Sequence, residues 1–134
     1  MRLGIVASRF NEEISGELLQ RARKEAEKAG AQVSVASVPG ALEIPLALQW
    51  MAQSGRFDAL VAVGCVIRGE TYHFEIVANE SARGVTDVAL EYGLPVGNGI
   101  LTTQDEAQAA ARLDKGAEAV RAALEMAKLK AKLA

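Results

Sequence analysis

Short apolar runs alternate with longer amphipathic stretches along this chain. The runs Leu3–Ala7, Val33–Val38 and Leu94–Leu101 are rich in Val, Ile or Leu. A fourth run, Asp58–Ile67, is almost continuously apolar, which is typical of a central parallel strand that is buried on both faces. The pattern therefore predicts four strands, each followed by helical sequence.

The amphipathic stretches predict five helices, which begin near Asn11, Ala41, Phe74, Thr103 and Ala117. The second and third of these helices extend over Ala41–Gln53 and Phe74–Tyr92. Asn11 is a favourable N-cap residue, because its side-chain oxygen can accept a hydrogen bond from a free amide of the first turn. Thr103 and Glu106 have the spacing of a capping box, so we expect Thr103 to cap the fourth helix.

Strands that alternate with helices form parallel sheets covered by helices on both faces. The expected fold is therefore an α/β, three-layer α/β/α sandwich with a four-stranded parallel sheet, a flavodoxin-like arrangement. At 134 residues the chain has the length of one domain, residues 1–134. Ligands of such sheets bind beyond the carboxyl ends of the strands, so each strand-to-helix junction is a candidate site.

Composition narrows the function classes. The formal net charge is −2, and the sequence has no basic face of the kind that would indicate nucleic-acid binding. No apolar run reaches membrane-spanning length and no secretory leader is evident, so we expect a cytoplasmic protein. Cys65 and His73 are the only residues of their types, which excludes a metal site built from Cys and His ligands. The mean hydropathy of +0.10 with only 4% aromatic residues indicates apolar surface that is buried against other subunits.

The junction after the third strand is the richest in chemistry. Gly69 permits a close backbone approach, and Glu70 and Thr71 precede the free amides of a helix start, where an anion can bind. A neutral His73 imidazole beside that anion could accept a proton and return it. The local sequence leaves two alternatives open, because the segment can be an ordinary turn and His73 a structural or surface residue.

Three other residues are candidates on weaker grounds. Phe10 lies in a polar junction, where its ring could stack on a flat heterocycle or pack on its own helix as a hydrophobic staple. Glu43 could bind ligand hydroxyls or favour the start of its helix through the helix dipole. Arg112 could hold a phosphate or remain a solvated surface cation.

The segment GCVIRGETYHFEIVANESARGV, with RFNEEI and VPGALEIPLAL before it and GILTT after it, closely resembles the 6,7-dimethyl-8-ribityllumazine synthase family. The resemblance extends over nearly the whole chain, and RGETYHFE is its most specific motif. It implies condensation of 5-amino-6-(D-ribitylamino)uracil with 3,4-dihydroxy-2-butanone 4-phosphate, the penultimate step of riboflavin synthesis. The reaction gives 6,7-dimethyl-8-ribityllumazine, phosphate and water. The resemblance implies no cofactor and no metal.

The resemblance also implies roles for residues at the first three junctions and for two residues farther along the chain. Phe10 matches the aromatic residue that stacks on the pyrimidine, and His73 matches the proton-transferring histidine. The matching segments that contact substrate are Ala41, Leu42 and Glu43 for the ribityl chain, Cys65, Val66 and Ile67 for the uracil ring, and Glu70 and Thr71 for the phosphate. Asn98 and Arg112 match residues that reach the site from an adjacent subunit, Arg112 as the phosphate-binding cation.

The family is built on pentamers, and many members assemble twelve pentamers into a shell. The chain departs from the family in having a short segment before the first strand and trimmed connections around EKAGAQVSV and after Arg112. These departures bear on assembly more than on chemistry, and they fit a thermophile or an engineered variant. Two alternatives to the enzyme stay open: an engineered or structural shell-forming assembly protein on the same fold, and a flavodoxin-like module that binds flavin or phosphate.

Overall fold

A computed structural model describes all 134 residues and shows one four-stranded parallel sheet. The strands are β1 (Arg2–Ser8), β2 (Gln32–Val38), β3 (Ala59–Ile67) and β4 (Val96–Thr103), in the spatial order β2-β1-β3-β4. This is the strand order of flavodoxin-like sheets, so the predicted fold class is confirmed. Strand β4 begins and ends two residues later than predicted, because Pro95 has no N–H to donate and the ladder continues until the Arg68 amide donates to the Thr103 carbonyl.

Helices cover both faces of the sheet. They are α1 (Glu12–Lys28), α2 (Ile44–Ser54), α3 (His73–Tyr92), α4 (Glu106–Ala110) and α5 (Lys115–Leu133). Alternate residues of the strands point to opposite faces, so that Ile5 packs with α1 and α5 while Val6 packs with α2 and α3. The two hydrophobic cores therefore lie on either side of the sheet, as in a three-layer sandwich.

Small residues bring α5 unusually close to its neighbours. A Cβ atom on Gly97 of β4 would lie 2.1 Å from the Ala119 carbonyl oxygen, and one on Gly116 would lie 2.3 Å from the Leu18 carbonyl oxygen. Both positions therefore require glycine for close packing and not for an unusual φ. Helix α5 begins at Lys115, two residues earlier than predicted, so Gly116 lies in its first turn.

Helices α1 and α4 begin close to the predicted places, but the two predicted capping hydrogen bonds are not formed. Asn11 precedes α1, but its side chain makes no capping hydrogen bond. Thr103 belongs to β4, and Asp105 caps α4 by accepting a hydrogen bond from the Gln108 amide at 2.8 Å. Thr103 instead donates its hydroxyl to the Asp105 carbonyl, because the longer strand has moved the helix start by two residues.

The second helical stretch is divided. Residues Ala41–Glu43 form a 3₁₀ turn, and the α-helix begins at Ile44. Pro45 lies in the first turn of α2, where its missing N–H leaves no broken hydrogen bond. The tighter 3₁₀ turn gives Ala41, Leu42 and Glu43 a different orientation from a continuous helix, and it places them at the end of β2.

Candidate active site

A cleft of about 400 Å³ lies at the carboxyl ends of β1, β2 and β3. The structure brings most of the predicted site residues together on its walls: Phe10, Ala41, Leu42, Glu43, Cys65, Val66, Ile67, Thr71 and His73. These residues come from three separate junctions of the chain. They meet because β2, β1 and β3 are neighbours in the sheet and all end at the same edge.

The first junction places an exposed aromatic ring at the cleft. Phe10 is 73% exposed although it lines the cleft. A hydrophobic staple would need an apolar residue at the fourth position of α1, and that position is Ser15, which donates its hydroxyl to the Phe10 carbonyl at 3.1 Å. The ring is therefore available to a flat ligand and does not pack as a staple.

The second junction is held by a hydrogen bond between backbone and side chain. The Gly40 amide donates to Glu43 Oε1 at 2.9 Å, which closes the 3₁₀ turn. No group of the chain donates to the other carboxylate oxygen of Glu43. Leu42 is 40% exposed beside it, while Ala41 is buried. One carboxylate oxygen thus shapes the turn, and the second can accept a hydrogen bond from a ligand hydroxyl.

The third junction contains a turn of free amides and the histidine. Helix α3 begins at His73, one residue earlier than predicted, and Thr71 Oγ1 accepts a hydrogen bond from the His73 amide at 3.4 Å. The His73 side chain is exposed and faces the cleft. Glu70 is exposed and lies between two cleft residues without lining the cleft itself. The geometry suits an anion on the turn with the imidazole beside it.

The cation nearest to this turn in sequence is already engaged. Arg68 forms an ion pair with Glu75, and its guanidinium carbon lies 4.6 Å from the centre of the Phe74 ring. These contacts fix the two ends of the turn against each other, because Arg68 precedes the turn and its partners lie in the first turn of α3. The cleft therefore has no free cation of its own for a phosphate.

The inner wall of the cleft is the end of β3. Cys65 is 2% exposed, and burial, with a smaller contribution from the Glu106 carboxylate, raises the pKa of its thiol to about 11. The thiol is therefore protonated at neutral pH and is a poor nucleophile. The carbonyl of Cys65 accepts a hydrogen bond from Asn11 Nδ2 at 2.8 Å.

Asn11 also lines the cleft, whereas the sequence predicted only a helix-capping role for it. Its place beside an aromatic residue in a polar junction could have indicated a second role, because Asn tolerates the left-handed backbone that tight junctions use. Pro39, Phe74 and Val77 also line the cleft without having been singled out for it.

Two predicted site residues do not join the cleft. Asn98 lies in β4, where its Oδ1 accepts a hydrogen bond from the Ile100 amide at 2.9 Å. Arg112 lies in the turn after α4 and donates from Nη1 to the Gln108 carbonyl at 2.8 Å. Both side chains are exposed, and neither lines the cleft of its own chain.

The structure has no group of three His, Cys, Asp or Glu side chains that could hold a metal ion. None of its helices combines the length and the apolar character that crossing a membrane requires.

Comparison with known proteins gives one consistent result. A sequence model of the 6,7-dimethyl-8-ribityllumazine synthase family matches residues 1–131. The chain is 58% identical over 131 residues to a protein of that name from Nitrosomonas europaea, covering 95% of this chain and 80% of the relative. It is 54% identical over 133 residues to one from Azoarcus sp. (strain BH72), covering 96% and 85%. The chain belongs to the 6,7-dimethyl-8-ribityllumazine synthase family.

Proposed function

We propose that this chain is the transferase that condenses 5-amino-6-(D-ribitylamino)uracil with 3,4-dihydroxy-2-butanone 4-phosphate. The products are 6,7-dimethyl-8-ribityllumazine, phosphate and water, in the penultimate step of riboflavin synthesis. Family membership over residues 1–131 supports the reaction. The observation that connects this reaction with the cleft is that an exposed aromatic ring, an amide-rich turn and the only histidine of the chain all lie on its walls.

Each wall of the cleft has a role in this proposal. The pyrimidine stacks on Phe10, against the strand end formed by Cys65, Val66 and Ile67. The ribityl hydroxyls donate to the free carboxylate oxygen of Glu43, next to Ala41 and Leu42. Holding the two substrates together in one cleft contributes a large part of the rate acceleration, because a bimolecular step becomes effectively unimolecular.

The sugar phosphate binds at the turn that contains Glu70 and Thr71. The amide groups of the turn and the Thr71 hydroxyl donate to the phosphate oxygens, and the side chain of Glu70 stays outside the cleft. The amine of the pyrimidine attacks the ketone, and one water leaves to form an imine. Phosphate is then eliminated, and the second amine closes the ring on the remaining carbonyl carbon with loss of a second water. His73 accepts and returns protons in these steps beside the leaving phosphate.

We propose further that the working unit is a homopentamer in which each site is shared between neighbours. Asn98 and Arg112 then reach the cleft of an adjacent copy, where Arg112 supplies the phosphate cation that the cleft lacks. Exposed apolar side chains on α2 and α3, including Leu46, Trp50 and Ile76, give surface for such contacts.

Light scattering tests the pentamer, with an expected mass near five times the 14.2 kDa of the chain, or sixty times if pentamers close into a shell. A monomer that retains full activity would contradict the shared site.

The remaining parts of the proposal are that residues 1–134 work as one domain and that the enzyme is cytoplasmic. A free thiol at Cys65 suits a reducing compartment. Fractionation of the source cells with an antibody to the chain tests the location.

The direct test of the reaction is to incubate the purified protein with both substrates and to follow the lumazine chromophore. Product above the uncatalysed background is expected, and its absence would overturn the assignment. No observation favours a shell-forming assembly protein without catalysis over the enzyme. A flavin-binding module predicts bound flavin after purification, which absorbance would reveal.

A further inference from the structure

One side chain links two junctions of the cleft. Asn11 stands directly before α1, and its Nδ2 donates to the carbonyl oxygen of Cys65, 54 residues later in the chain, at 2.8 Å. Asn11 is also the one non-glycine residue of the chain with a positive φ, at 57° with ψ at 58°. The same residue therefore combines an unusual backbone with a contact between distant segments.

Neither feature helps the helix that Asn11 precedes. A residue in this position ordinarily has an extended backbone and caps the helix with its side chain, and loss of such a cap destabilises a protein. The left-handed conformation also costs free energy for a non-glycine residue, although Asn adopts it more readily than most. Asn11 has the unfavourable backbone and makes no side-chain cap. What it gains is the hydrogen bond to β3.

That bond connects two parts of the cleft wall. Because a carbonyl oxygen only accepts hydrogen bonds, the amide group of Asn11 must present its NH₂ to Cys65, which fixes the side-chain orientation. The bond holds the end of β3 against the residue that follows Phe10. The aromatic ring and the strand end both line the cleft, so the bond links the segments that carry them.

We propose that Asn11 is a positioning residue, which holds the Phe10 ring and the Cys65–Ile67 strand end at the separation that a flat pyrimidine requires. The inference rests on the proposed function, since it concerns the pyrimidine half of that site. It predicts that loss of the bond weakens pyrimidine binding and leaves the sugar-phosphate half, at Gly69–Thr71, unaffected. The two halves are therefore separable in experiment.

Two variants test the positioning role. Asn11→Gly tolerates the positive φ and removes the hydrogen bond, so the fold is kept without the link. Asn11→Asp keeps the side-chain size and tolerates the same backbone, but it places a carboxylate oxygen against the Cys65 carbonyl. Calorimetric titration with the pyrimidine substrate alone should give a dissociation constant roughly tenfold higher for Asn11→Gly and higher still for Asn11→Asp.

The readouts separate positioning from general stability. Both variants should keep the KM for the sugar phosphate, and Asn11→Gly should keep the melting temperature. Unchanged pyrimidine binding in both variants would overturn the inference, as would an equal loss for both substrates with a lowered melting temperature. Wild-type protein that binds the pyrimidine but forms no product would overturn the proposed reaction alone, and wild-type protein that does not bind it would overturn both.

Discussion

The ends of β1, β2 and β3 build a cleft within one chain, whereas the end of β4 and the segment after it do not join that cleft. The first three junctions place an aromatic ring, a carboxylate and an imidazole around about 400 Å³. Asn98, the third residue of β4, and Arg112, which follows α4, are the predicted site residues of this fourth part of the chain. Both side chains are exposed, and each hydrogen-bonds only a backbone group within four residues of itself. Sequence order alone gives no indication of this division.

The two regions differ mainly in the positive charge that each can offer to a phosphate. The cleft has a turn of free amides that suits an anion, but the cation nearest to that turn in sequence, Arg68, is paired with Glu75 and stacked on Phe74. The family resemblance assigns the phosphate-binding role to Arg112. Its guanidinium is free of ion pairs, and it lies on the other side of the division. A dianionic phosphate ester is held weakly by amides alone, so the arrangement fits a cleft that a second copy completes. Variants on each side of the division, and a mixture of such variants, test this interpretation.

The largest expected effect lies within the cleft. His73→Ala removes the proposed proton carrier, and we expect kcat to fall by about 10²-fold, since general acid–base groups contribute on this order or more. Initial rates of chromophore formation at saturating substrate measure it. Light scattering on the same sample is the control, because the side chain is exposed and assembly should not change. A variant that loses its oligomer would indicate a packing role for His73 instead.

The next effect lies outside the cleft. Arg112→Ala removes the proposed charge-assisted contact to the phosphate, so the KM for the sugar phosphate should rise about 30-fold while the KM for the pyrimidine is unchanged. Arg112→Lys should be intermediate, since lysine keeps the charge without the forked geometry.

Arg23→Ala is the matched control for Arg112→Ala. Arg23 is an exposed arginine of α1 that does not line the cleft, and its replacement should leave both KM values unchanged. If Arg112→Ala behaves in the same way as Arg23→Ala, Arg112 is a solvated surface residue and the phosphate assignment is wrong.

The fold was predictable because the spacing of apolar residues along the chain follows which side chains are buried. The Asp58–Ile67 run identified the central strand, and Gly93, in a left-handed conformation at φ 56°, ended α3 where the sequence indicated. The cap at Thr103 was wrong because the ladder with β3 extends the strand through that residue, and such pairing is a tertiary effect. Asn11 was missed for the same reason, since its partner Cys65 is distant in sequence and only the assembled sheet brings them together.

A mixed oligomer tests whether the two regions act together. When His73→Ala and Arg112→Ala chains are coexpressed, some clefts have an intact His73 on one copy and an intact Arg112 on the next. With equal amounts and random assembly, about a quarter of the shared sites are complete. At low sugar-phosphate concentration the mixture should therefore be about tenfold more active than the separately purified variants. Activity equal to their average would show that each chain uses only its own residues.

The smallest expected effect concerns the inner wall of the cleft. Burial raises the pKa of the Cys65 thiol from 9.0 to about 11, so the folded chain keeps a proton that the unfolded chain releases. The unfolded state therefore gains stability as pH rises through its own thiol pKa, and the free energy of unfolding should decrease between about pH 9 and pH 11. Urea denaturation at several pH values measures this decrease, with Cys65→Ala as the control, because other groups also titrate in the range. The wild type should lose more stability than the variant over that interval. Equal losses would mean that the thiol is hydrated, and that the strand end proposed to face the pyrimidine is open to solvent in the way that Asn98 and Arg112 are.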